Sequence, residues 1–249
     1  MIIDTHTHLD NVKFKEDVDE VISRAKENNV KKFIIPAADP KDLKRAIELA
    51  EKYDEIYFGV GVHPVDIDKY EDRLLLDYIN HPKCVAVGEI GLDYYWVKDK
   101  EKRQKQQELF KKQIEIALKY NKPIIVHVRE ATEDTYKIIE KYPEAKGVFH
   151  CYNAAHQLLD FDDRFYYGIG GVITFKNARK LLEVFPKIPK KRVIIETDAP
   201  YLTPHPFRGK RNEPMYTIYV RDKIAELWNI SPKEVEDITT ENAKRLFKI

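Results

Sequence analysis

The chain has 249 residues, with 43 Lys and Arg against 42 Asp and Glu, a formal net charge of +1, and 43% hydrophobic residues. That size and apolar content suffice for the core of one large domain, and the charge balance excludes a disordered polyelectrolyte or a uniformly basic DNA-coating protein. Two cysteines, Cys84 and Cys151, make neither a disulfide framework nor a thiolate zinc site.

The first residues lack the basic region and apolar stretch of a signal peptide, and no window approaches the length of a membrane span. A soluble cytoplasmic protein is expected, with no membrane association and no obligate protein partner. In chain order, eight short apolar runs follow: Ile2–Ile3, Phe33–Ala38, Tyr57–Val62, Val85–Ile90, Ile124–Val128, Val148–Tyr152, Phe165–Ile169 and Val193–Ile195. Short, nearly continuous apolar runs are the pattern of strands buried on both faces of a parallel sheet. Helical stripes separate them. Val18, Val21, Ile22 and Ala25, then Leu43, Ala46, Ile47 and Ala50, keep the spacing of a helix with one buried face. Phe110, Ile114, Ala117 and Leu118 stripe a long charged helix, and Val220, Ile224, Leu227 and Trp228 another.

This alternation predicts an α/β fold, a (β/α)8 TIM barrel forming one domain over residues 1–249, with an open doubly wound sheet as the competing arrangement. The step from Val148 to Phe165 leaves room for only a turn or two of helix in the sixth crossover. Near the end, Ser231-Pro232-Lys233-Glu234 reads as N-cap, N1 and N3 of a capping box, which opens an additional C-terminal helix.

Five of the runs end in side chains that bind metals. His6 and His8 stand two apart after the first run and so share a face. Glu89 ends the fourth run, where an unpaired carboxylate is costly to bury; His127 ends the fifth, His150 the sixth, and Asp198 follows the eighth. Singly, each reads equally well as a satisfied polar strand end. In a barrel, however, all six gather at the C-terminal mouth. Four imidazoles and two carboxylates are enough for two divalent metal ions with a carboxylate such as Glu89 between them, and mixed donors suit Zn2+ or Mn2+ better than Mg2+ alone. His63 ends the third run at the same mouth. Arg129 lies two residues beyond His127, and Arg208, Lys210 and Arg211 follow the eighth run, where guanidinium groups could hold phosphates. Tyr94, Tyr95 and Trp96 offer either base stacking or loop packing. Cys84 and Cys151 read as core.

The segments Asp4-Thr5-His6-Thr7-His8, Val87-Gly88-Glu89-Ile90-Gly91-Leu92-Asp93-Tyr94, Ile125-Val126-His127-Val128-Arg129 and Glu196-Thr197-Asp198-Ala199-Pro200-Tyr201-Leu202 resemble the TatD family of metal-dependent deoxyribonucleases, within the amidohydrolase-like superfamily of metal-bearing barrels. The likeness runs from Ile2 to Phe247. It implies one metal held by His6, His8, Glu89 and Asp198, a second held by Glu89, His127 and His150, and a phosphate met by His63, with Arg129 and Arg208 as further substrate contacts by position. The implied reaction is phosphodiester hydrolysis by metal-activated water, on single-stranded DNA from its 3′ end, with Asp198 orienting or deprotonating the water and Glu89 bridging the metals. After His150 the chain departs from the family's small Ser/Gly-rich turn, with Tyr152-Asn153-Ala154-Ala155-His156, and this bears on substrate choice. The alternative is hydrolysis of amides or esters, cyclic amides or D-aminoacyl-tRNA, by the same water. Many amidohydrolase-type barrels carry a carboxylated Lys on the fourth strand; Glu89 in its place favours phosphodiesters.

Overall fold

The computed structural model describes residues 1–249. Eight parallel strands, β1 (Ile2–Asp4), β2 (Val30–Ile35), β3 (Ile56–Val60), β4 (Cys84–Asp93), β5 (Ile124–Arg129), β6 (Gly147–Phe149), β7 (Phe165–Ile169) and β8 (Val193–Ile195), lie side by side in chain order. The sheet closes on itself. At the seam, Thr5 N–H donates to the Ile195 carbonyl at 3.1 Å, Asp198 N–H donates to the His6 carbonyl at 2.9 Å, and Thr7 pairs with Ala199. The chain is thus a (β/α)8 barrel, and the open-sheet alternative falls away.

Helices α1 (Val18–Glu27), α2 (Leu43–Lys52), α3 (Arg73–Leu76), α4 (Lys100–Lys119), α5 (Thr132–Glu140), α6 (Arg179–Val184) and α7 (Thr217–Trp228) intervene between the strands or follow the last one. The sixth crossover is a 3-10 segment, His156–Phe161, as its spacing predicts. Last comes α8 (Pro232–Phe247), where the Ser231 hydroxyl accepts from Glu234 N–H at 3.2 Å and the Glu234 carboxylate accepts from Ser231 N–H at 2.9 Å. No helix is long and apolar enough to cross a membrane.

Strand residues alternate between two cores, because successive side chains leave a strand on opposite faces. Phe33, Ile35, Ile124, Val126, Phe165, Tyr167, Val193 and Ile195 pack outward under the helices. Between them, Ile34, Ile125, Tyr166 and Ile194 turn into the barrel with Ile3 and Val148, where Ala243, Leu246 and Phe247 of α8 join them. Polar contacts fix α8 against the strand beginnings: the Asn242 side-chain amide donates to the Val193 carbonyl at 2.8 Å, and the Thr240 hydroxyl donates to the Met1 carbonyl at 2.6 Å. The last helix therefore plugs the end of the barrel opposite the mouth.

Most strands shift by a few residues from the apolar runs, β2 to Val30–Ile35 and β3 to Ile56–Val60 among them, and two of the shifts bear on the mouth. β4 continues past Ile90 to Asp93, because its pairing with β5 persists through Gly91 with His127 and Asp93 with Arg129. Gly91 permits this approach: its φ is +139°, and a Cβ there would lie 2.1 Å from the His127 carbonyl oxygen. β6 stops at Phe149, and Cys151 takes a left-handed φ of 41°. Cys151 is consequently half-buried on the mouth cavity and not a core residue as expected, whereas Cys84 is buried. Truncating the plug at Phe247→Ala should destabilise the fold by about 3–5 kcal/mol, measured as a lower urea midpoint with an unchanged slope.

Candidate metal centre

The inward parity set by the interior core continues upward into the mouth. Two residues beyond inward Ile125 stands His127, two beyond Val148 stands His150, and two beyond Ile194 stands Glu196, while Asp198 follows past the end of β8 at a left-handed φ of 57°. These side chains converge on Glu89, which is only 4% exposed. Its two oxygens face different partners. Oε2 lies 3.4 Å from His6 Nε2 and 4.0 Å from His8 Nε2; Oε1 lies 2.9 Å from His127 Nδ1, 3.0 Å from His150 Nε2 and 3.5 Å from His63 Nε2. Asp198 joins the first side, with Oδ1 at 3.3 Å from His8 Nε2 and 3.7 Å from His6 Nε2. The seam hydrogen bond between Asp198 and His6 sets this proximity.

Two buried carboxylates not singled out from the sequence complete the cluster. Asp93 accepts from His127 Nε2 at 3.0 Å, which turns His127 Nδ1 toward Glu89. Glu196 lies 3.6 Å from His150 Nδ1 and accepts from Cys151 N–H at 2.5 Å. Gly168 makes room for it, since a Cβ there would lie 2.2 Å from Glu196 Oε2. Period-two counting from Ile194 would have found Glu196. Asp93 carried no such signal, because it depends on the longer reach of β4.

Proton affinities follow from these contacts. Burial alone would raise Glu89, but the charge of His150 and hydrogen bonds from His127 and His150 hold it well below the usual carboxylate range. Burial likewise disfavours charge on His8, yet the hydrogen bond and charge of Asp198 outweigh it and push His8 up to about 9. Burial drives His63 down to about 3, so that ring is neutral. Its Nδ1 accepts from Val65 N–H at 3.2 Å, which aims Nε2 at Glu89. His63 thus both caps the turn and faces the cluster.

Donor atoms of His6, His8 and Glu89 lie within 4.8 Å of one another, as do those of Glu89, His127 and His150. Both ring nitrogens of buried His6 lack a hydrogen-bond partner. Orphaned buried polar atoms cost about 1–3 kcal/mol each, and coordination to a cation relieves that cost. The mixed imidazole and carboxylate set therefore fits divalent ions, with zinc or manganese suited to its donors.

A cavity of about 830 Å³ opens above the cluster, with Arg129, Trp96, Asn153 and Tyr201 on its walls. Tyr94 lies elsewhere: its hydroxyl donates to Asp134 at 2.7 Å and its ring packs against Arg103. The structure also keeps Arg208 off the cavity wall. Its guanidinium donates to the Thr203 carbonyl at 2.9 Å and lies 3.9 Å over the Phe175 ring, because Asn212 folds the loop back by donating to the Thr197 and Tyr201 carbonyls. Arg211 is held by Asp17 and Glu213.

A closed barrel with histidines and carboxylates gathered at its C-terminal mouth defines the class of metal-dependent barrel hydrolases. Comparison with known proteins narrows this. The family model described as "TatD related DNase" matches residues 3–248, and the chain belongs to that family. It is 47% identical over 256 residues to the Bacillus subtilis protein YabD, covering 100% of both chains, and 36% identical to Escherichia coli YcfH, covering 100% of this chain and 96% of that one. Both relatives are described as uncharacterized metal-dependent hydrolases. Among solved structures, the E. coli TatD homolog YJJV superposes with a TM-score of 0.90 at 30% identity, covering 100% of this chain and 98% of that one. The chain is a metal-dependent hydrolase of the TatD family.

Because His8 and His150 hold protons more tightly than free imidazole, a cation must displace them. Metal affinity should therefore rise between pH 6 and 8, by about tenfold per pH unit for each proton displaced. Calorimetry in two buffers of different ionisation enthalpy measures both the affinity and the released protons.

Proposed function

We propose that this chain is a nuclease that hydrolyses phosphodiester bonds of single-stranded DNA, using two divalent ions held at the barrel mouth. His6, His8, Glu89 and Asp198 hold one ion and Glu89, His127 and His150 the other. The observation that carries this reading is the division of Glu89, whose Oε2 faces His6 and His8 while Oε1 faces His127 and His150. A shared carboxylate fits two closely spaced ions. The match to a family described as TatD related DNase supports the choice of phosphodiester.

When bound, such ions polarise a phosphoryl oxygen and make water a better nucleophile at neutral pH. The remaining work falls to the chain's own side chains. Asp198, with its side chain 17% exposed, borders the cavity, where its carboxylate orients the attacking water and takes its proton. Asp93 fixes the tautomer and ring angle of His127 by accepting from its Nε2, so that Nδ1 faces Glu89, while Glu196 sets a negative charge beside His150 Nδ1, whose Nε2 faces Glu89. Neutral His63 hydrogen-bonds the phosphate through Nε2. Arg129 supplies positive charge at the cavity wall, where a planar guanidinium can grip two phosphate oxygens. Arg208, held by Thr203 and Phe175, is left out of this assignment.

The test is metal-stripped protein incubated with 5′-labelled single-stranded DNA plus Mg2+, Mn2+ or Zn2+, alongside aminoacyl esters and cyclic amides. Stepwise, metal-dependent shortening from the 3′ end is expected, with Asp198→Asn lowering the rate by about 10²- to 10⁴-fold. Hydrolysis of the ester or amide with intact DNA would replace this reading by the carbonyl one. In a separate measurement, wild-type protein should retain two ions per chain by elemental analysis, His8→Ala one, and Glu89→Gln fewer than one.

A further inference from the structure

Apolar surface exposed to water tends to mark a binding site when it is contiguous and beside a functional cavity. Of the seven large apolar side chains that stand exposed, Val65, Trp96 and Tyr201 line the cavity above the metal centre, and Tyr95 packs edge-on against Trp96 with ring centroids 4.8 Å apart. Trp96 is 66% exposed and Tyr201 46%. A tryptophan that merely packed its loop would bury most of its ring, so loop packing does not account for Trp96.

The two rings stand on opposite sides of the mouth. Trp96 follows β4 and Tyr201 follows β8, and these strands are four apart in a closed ring of eight. The backbone carrying each ring is tied to a different side of Glu89. The Trp96 backbone N–H donates to Asp93 Oδ1 at 2.9 Å, and the other oxygen of that carboxylate accepts from His127 Nε2 at 3.0 Å. Tyr201 N–H donates to the Asp198 carbonyl at 2.8 Å, and its ring meets His8 edge-on at 6.3 Å. Cations flank both: the Arg129 guanidinium lies 4.0 Å over Tyr95 and 5.6 Å from the Trp96 centroid, and Lys13 Nζ lies 5.0 Å from that of Tyr201.

The geometry points to Trp96 and Tyr201 as two stacking posts for unpaired bases on either side of the phosphate held over the cluster. Arg129 and Lys13 attract the adjoining backbone. The inference rests on the nuclease reading and gives it a source of selectivity: bases locked in a duplex cannot offer their faces to two separate rings, whereas a single strand can. Stacking is indifferent to base identity, so the posts select strandedness and not sequence.

The test compares kcat/KM for a single-stranded oligothymidylate and an abasic strand with the same number of phosphates, in wild type, Trp96→Ala and Tyr201→Ala. Each variant should shrink the wild-type preference for the base-bearing strand by about 5- to 150-fold, the effect of losing one stacked base. In parallel, Trp228→Phe leaves Trp96 as the sole tryptophan, and its fluorescence is titrated in metal-free protein, where no turnover intervenes. Quenching by oligothymidylate and not by the abasic strand supports the posts. If wild type cleaves DNA but the preference is unchanged and quenching is absent or equal for both strands, the posts are overturned and the nuclease reading stands. Base-dependent quenching without cleavage upholds the posts and removes the nuclease reading; absence of both removes the two together.

Discussion

A carboxylate shut away from water is tolerable only with positive charge or hydrogen-bond donors around it, and Glu89 imposes that requirement on the whole mouth of this barrel. Five imidazoles from four different strand ends turn toward it. Three of the nearby histidines, His8, His127 and His150, hold protons above their ordinary range, and His6 leaves its nitrogens without partners. Such a cluster is electrostatically poised for cations: the protons it carries and the bonds it lacks are what a divalent ion would replace. Asp93 acts through the inner ring, its hydrogen bond fixing which nitrogen of His127 faces inward.

The barrel makes this convergence affordable by separating its two tasks along the strands. Lower inward positions carry Ile3, Ile34, Ile125, Val148, Tyr166 and Ile194, which with α8 form a dry floor. On β5, β6 and β8 the higher positions of the same parity carry His127, His150 and Glu196. Hydrophobic packing therefore aims the polar groups, since a strand that buries Ile125 inward also presents His127 inward. Shifting any strand by one residue would lose both at once.

Much of this was legible in the amino-acid order. The eight apolar runs, the short sixth crossover and the Ser231 capping box correspond to elements of the structure. The six ligand-type residues at the run ends lie together, because each side chain's direction follows from strand parity or, for the first and eighth strands, from the seam. What escaped depended on long-range pairing. Asp93 belongs to the cluster because β4 stays paired with β5 beyond its apolar run, and no local pattern announces that extension. Arg208 was sequence-adjacent to the mouth but is drawn aside by the Asn212 hydrogen bonds, a contact between loop residues that proximity in sequence cannot reveal. Cys151 reads as core only if the sixth strand continues, and the left-handed turn at that residue ends it.

The seam between β1 and β8 has a consequence for how the molecule comes into being. His6 and Asp198 meet across it, and α8, which closes the floor beneath, bonds to Met1 and Val193. His6 thus meets Asp198 only after about 190 further residues, and contacts of such sequence separation are slow to form. During synthesis the early strands must hold as an open, incomplete sheet with unpaired edges, vulnerable to association with other chains. The cluster of histidines and carboxylates is accordingly completed only when the ring closes.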